Sequence, residues 1–102
     1  MSTGFLINPE DKTVDPVEVR DLAEIASLIG YDTIASDGIG DGNDRLFFDE
    51  ECFIRGSSGR FQLDRLVPVA GKGVVVGLSI DGSTLADVAL SQAELAERLR
   101  FD

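Results

Sequence analysis

Asp37, Asp41 and Asp44 sit close together in a glycine-rich stretch, Asp37-Gly38-Ile39-Gly40-Asp41-Gly42-Asn43-Asp44. Carboxylates at that density suggest calcium, a hard cation held by oxygen ligands. Residues Gly40 to Leu46 read like one turn of the glycine- and aspartate-rich repeat that wraps calcium in secreted β-helix proteins, with Ile39 in place of the first glycine. That repeat holds its ion between successive turns, and the chain has no second copy. An EF-hand frame begun at Asp37 puts Ile39 and Phe48 where oxygen ligands are required. Two readings remain: a calcium- or ligand-binding loop over residues 37–44, or a polar connection between strands, since Asp-Gly, Gly-Asn and Asn-Asp pairs suit positive-φ turns.

A second run of carboxylates follows at Asp49, Glu50 and Glu51. Paired carboxylates can hydrolyse glycosides when held at a suitable separation, but neighbours on a strand or turn do not aim at one centre. Histidine is absent, which removes Ser-His-Asp and Cys-His arrangements, the usual general base near neutral pH, and His-containing zinc sites. The single cysteine, Cys52, lies after Glu50 and Glu51 and before Phe53 and Ile54. Negative neighbours and apolar flanks both disfavour a thiolate, so a buried structural role is expected. Lys72 in "VAGKGVVVG" invites comparison with a phosphate loop. However, Gly73 follows the lysine where a Walker loop requires Ser or Thr, so a turn entering a buried strand is the expectation. No cofactor is implied, and a non-enzymatic protein is expected.

Charge narrows the partners. With 19 acidic and 9 basic residues the chain carries a formal −10, which disfavours direct contact with a phosphate backbone. It favours either a solubilising surface or one that competes with nucleic acid for a basic protein. Asp37, Asp41, Asp44, Asp49, Glu50 and Glu51 are the candidate partner-binding carboxylates. One cysteine precludes a disulfide framework. No apolar run approaches membrane-spanning length, and the first residues lack a basic, then apolar, leader pattern. A soluble cytoplasmic protein without membrane contact is expected.

These side chains must be positioned by the surrounding elements. At 102 residues, with no linker or repeat, the chain is expected to form a single domain over 1–102. "GFLIN" and "TVDPVEV" predict a hairpin, with Pro16 confining the second strand to an edge. Leu22, Ile25, Ala26 and Ile29 share one face of a helix capped by an Asp21–Glu24 box and ended by Gly30. "YDTIAS", "RLFF", "CFI", "RFQLDRL" and "TLADVAL" read as strands, "GSSG" as a loop, and "GVVVG" as the central strand, being the most β-branched run. Ser91 with Glu94 predicts a second capping box, opening a helix with Leu95 and Leu99 on one face and Glu94 facing Arg98. The predicted class is α+β: a mostly antiparallel sheet with one packed helix and a C-terminal helix.

Val17-Glu18-Val19 before a helix ending Leu28-Ile29-Gly30, then Asp49-Glu50-Glu51, then Ala70-Gly71 leading into Val74-Val75-Val76-Gly77, and finally "LSQAE", occur in this order. Together they resemble the small acidic phage- and plasmid-borne proteins grouped as domain-of-unknown-function family 3846. Members often have a glycine where Cys52 stands. The resemblance implies a bacterial mobile-element origin and carries over no catalytic residues. The expected function is a protein-binding module acting on a host or phage protein. A sharper form is an acidic nucleic-acid mimic that inhibits a restriction or CRISPR defence protein; the rival is a ligand- or calcium-binding domain using residues 37–44.

Overall fold

The computed structural model describes residues 2–40, 42–51, 54, 59–66, 68–79, 81 and 84–101. The fold is α+β, with two helices and antiparallel pairing among the described residues. Of the predicted strand "CFI", only Ile54 falls among the described residues, as does only Gly59 of "GSSG".

The main sheet is built around the run predicted to be central. β7 (Gly73–Leu78) lies between β1 (Ser2–Asn8) and β4 (Asp44–Asp49), in the order β2-β1-β7-β4-β3. β2 (Thr13–Val19) and β3 (Ile34–Gly38) form the two ends of that path. The β1–β2 hairpin pairs Ser2 with Val19 through Asn8 with Thr13, and Pro16 sits on the outer strand. This is where a residue without an N–H costs the ladder least. β8, predicted as a strand over residues 84–90, keeps only Leu85–Ala86, which pair with the end of β7.

Both faces of this sheet are covered, which explains why β7 is almost uniformly apolar rather than alternating. One face carries α1 (Leu22–Ile29), where Ile25 and Ile29 join Val19, Phe47, Val74 and Val76 in one core cluster. The other face carries Phe5, Ile7, Leu46 and Val75. They pack against a second, smaller sheet and α2 (Gln92–Arg98), contributed by Phe61, Leu63, Val69, Leu95 and Leu99. That smaller sheet has the order β6-β5-β9, from β5 (Arg60–Leu63), β6 (Val69–Ala70) and β9 (Leu99–Phe101).

The helix signals are realised with informative differences. Asp21 accepts from the Glu24 amide at 3.0 Å, but Glu24 returns its bond one residue earlier, accepting the Arg20 backbone N–H at 2.7 Å and Arg20 Nε at 3.0 Å. β2 ends at Val19, so the Arg20 amide is the first one past that strand. Leu22, predicted on the buried stripe, is 55% exposed, and Leu28 packs against the core instead. Gly30 ends the helix at φ +99°, its N–H bonded to Ala26 O.

In α2, Ser91 and Glu94 form the full reciprocal box. Glu94 is thereby turned to the helix start, and Arg98 instead pairs with Asp64. The hydrogen bond from Arg98 to that carboxylate raises the guanidinium above the ordinary arginine value. Leu99 leaves the helix while still buried and opens β9, a strand that periodicity did not disclose.

The two layers approach closely at Gly73. A Cβ there would lie 2.6 Å from Phe61 Cζ and 3.1 Å from Leu46 Cδ1, and Phe61 is buried. Gly73→Ala is therefore expected to destabilise by roughly 1–3 kcal/mol through overpacking. In urea unfolding, Phe61→Leu should recover part of that loss, so that the double variant is more stable than the summed single effects; strict additivity would place the crowding elsewhere.

Candidate functional site

The six candidate carboxylates do not form one surface. Asp44 begins β4 and Asp49 ends it, a separation of roughly 17 Å at about 3.4 Å per strand residue. Asp37 pairs with Leu46 near the first end, while Glu50 and Glu51 follow the second. Asp41 lies outside the described residues.

Two of the six are not on the surface at all. Asp44 is 4% exposed, and its carboxylate accepts the Ala89 amide at 2.9 and 3.2 Å and the Leu90 amide at 3.0 Å. Asp49 is 2% exposed and accepts from the Thr33 hydroxyl and, at 3.1 Å, the Glu51 amide. The expectation of six surface carboxylates is corrected at both positions for one reason. A carboxylate can leave water when hydrogen-bond donors converge on it, two backbone amides at Asp44 and a hydroxyl with an amide at Asp49.

The Asp44 contact fixes the approach to α2. Asp87 departs from β8, accepts the Thr3 amide at 2.8 Å, and passes its carbonyl so close over Gly77 that a Cβ there would meet it at 2.6 Å. Val88 then donates to Thr3 O at 2.8 Å, Ala89 and Leu90 donate to Asp44, and Ser91 caps the helix. The strand pattern over residues 84–90 gave no sign of these contacts, because their partners are more than forty positions away.

The glycine-rich segment is the connection between β3 and β4. Ile39, which replaces the glycine of the calcium-binding repeat, is buried in the core, and its N–H bonds Asp44 O at 2.9 Å. Gly40 takes φ +60°, and the Asn43 carbonyl accepts from Leu78. Asp44 is directed at residues 89 and 90, away from a shared centre in the loop. Among the described residues, no group of three His, Cys, Asp or Glu side chains is placed to hold a metal ion. Likewise, "VAGKGVVVG" forms a turn into a buried strand, with Gly71 at φ +81° and its N–H on Gly59 O. Cys52 lies outside the described residues.

Two concave features occupy opposite ends of β4. A cavity of about 160 Å³ lies between Asn8, Tyr31, Asp49 and Lys72, beside exposed Glu10, Asp32, Glu50 and Glu51. A larger groove of about 650 Å³ runs beside the first turn of α1, over Phe47, Leu78 and Leu85. No described helix is long and apolar enough to cross a membrane. No protein-family model, curated protein or solved structure matches this chain.

Asp44→Ala would leave two partly buried amides unsatisfied, and a loss of roughly 2–4 kcal/mol is expected in urea unfolding. Asp44→Asn, which keeps one acceptor oxygen, should lose less. Exposed Glu50→Ala should stay within about 0.5 kcal/mol of the parent. Hydrogen exchange provides the site-specific reading: the Ala89 and Leu90 amides should lose protection in Asp44→Ala before those of β7 do.

Proposed function

We propose that this protein is a non-catalytic protein-binding module of a phage or mobile element, acting in the cytoplasm of a bacterial host. Its contact surface is the acidic end of the main sheet, where Glu10, Asp32, Glu50 and Glu51 are exposed around the Tyr31–Lys72 cavity. That concentration of carboxylates is the observation carrying the reading. Glu50 is tied to Thr33 through its amide, so the run 49–51 and the segment 31–33 are held side by side and their charges add. A rigid, negative edge attracts a basic groove, steers its approach and competes with nucleic acid for it. An inhibitor of a restriction or CRISPR protein is the sharpest form of this proposal. The resemblance of residues 70–77 to mobile-element proteins supports the setting.

The test uses the intact chain and a triple variant, Asp32→Asn, Glu50→Gln and Glu51→Gln, immobilised against bacterial lysate. The parent should retain a basic nucleic-acid-binding protein that duplex DNA displaces and that elutes as salt rises from about 50 to 200 mM; the variant should lose it. Retention that is insensitive to salt, or equal for both proteins, would refute an acidic docking edge.

A further inference from the structure

The groove beside α1 lies at the other end of β4 and is independent of the acidic edge. α1 has only eight residues, so it covers Val74, Val76 and part of Phe47 and stops short of the Asp44 end of the sheet. What remains open is a trough of about 650 Å³ lined by Leu22, Phe47, Leu78 and Leu85, with Ser36 and Arg45 on the β3 side. This volume is within the usual range for small-molecule sites, which are mostly apolar with a few placed polar groups.

Arg45 is the placed polar group. It is half-buried, and among the described residues its hydrogen bonds go to Ser36: Nε donates to Oγ at 3.1 Å and Nη2 to the backbone carbonyl at 3.1 Å. In a chain with 19 acidic and 9 basic residues, this guanidinium is set beside apolar surface with neutral partners. By contrast, Arg20, also at the groove, is paired with Glu24, and Asp21 is engaged in capping α1. Ser36 holds one edge of the Arg45 plane. Nη1 and the second N–H of Nη2 remain as a fork that matches two carboxylate oxygens. The formal −10 of the chain opposes a polyanion, so the acceptor that fits carries a single charge.

We propose that this groove binds a small apolar carboxylic acid, its carboxylate on the Arg45 fork and its hydrocarbon along Leu22, Phe47, Leu78 and Leu85. Octanoate, octanol and octylamine are suitable probes because they share one apolar body and differ in the head group. Titrations followed by calorimetry and amide chemical shifts should show octanoate binding about tenfold or more tightly than octanol, with shifts at Leu22, Ser36, Phe47 and Leu85. Arg45→Met should abolish the preference while leaving octanol binding in place. Leu85→Asp should weaken both ligands, and circular dichroism of each variant establishes that it folds. Equal binding of octanoate and octanol, shifts that map to the acidic edge, or binding only by an acidic amphipathic peptide would each overturn the assignment; the last would make the groove a protein-docking site.

Discussion

Two-sided burial of β7 is the constraint on which the remaining structure depends. A strand with Val74 and Val76 on one face and Val75 on the other cannot leave either face in water. One face is closed by α1, whose Ile25 and Ile29 reach it after the short connection from β2. The other is closed by the β5–β6 pair and by the contiguous α2 and β9, two segments far apart in sequence. Glycine appears where this closure is tightest. Gly73 admits the Phe61 ring, and Gly77 admits the Asp87 carbonyl.

Closing the second face requires the chain to cross from β8 to α2 over the end of the sheet, and such a crossing exposes backbone amides that no ladder satisfies. Asp44 and Asp87 resolve this. One carboxylate accepts Ala89 and Leu90, the other accepts Thr3, and Val88 bonds Thr3 in return. Charged acceptors suit this role better than hydroxyls because each offers several lone pairs and makes a stronger bond to an amide. The crossing also sets Ser91 at the start of α2, so the cap that reads as a local motif depends on contacts made by β1 and β4.

Local chemistry made much of the fold legible. The Pro16 edge, the Gly30 stop, the Ser91–Glu94 box and the central position of Val74–Val76 are determined by propensities and hydrogen bonds within a few residues. β9 was not legible, since Leu99-Arg100-Phe101 pairs with β5 over more than thirty positions and follows a helix with only one intervening change of direction. Nor was the shortening of β8: its apolar pattern continues through Val88 and Leu90, but Asp44 draws the backbone away. At the candidate site, residue type disclosed acidity without location. Asp44 and Glu50 look equivalent in the sequence, yet one is enclosed by amides and the other faces solvent.

This difference changes what the composition means. Asp21, Glu24, Asp44, Asp49, Asp64, Asp87 and Glu94 all accept bonds from backbone amides or from an arginine. A chain without histidine and with few asparagines uses carboxylates as its general-purpose acceptors at helix starts, strand ends and crossings. Part of the formal −10 is therefore structural, each such charge already held by the dipoles or cation that fixed it. Those charges are fixed in place by the fold, whereas Asp32 and Glu50 are exposed where the chain extends past the sheet. At the other end, Arg45 is held by Ser36 beside the uncovered apolar surface. The electrostatic character of each end follows from where the fold places its carboxylates and Arg45, and net charge alone does not reveal it.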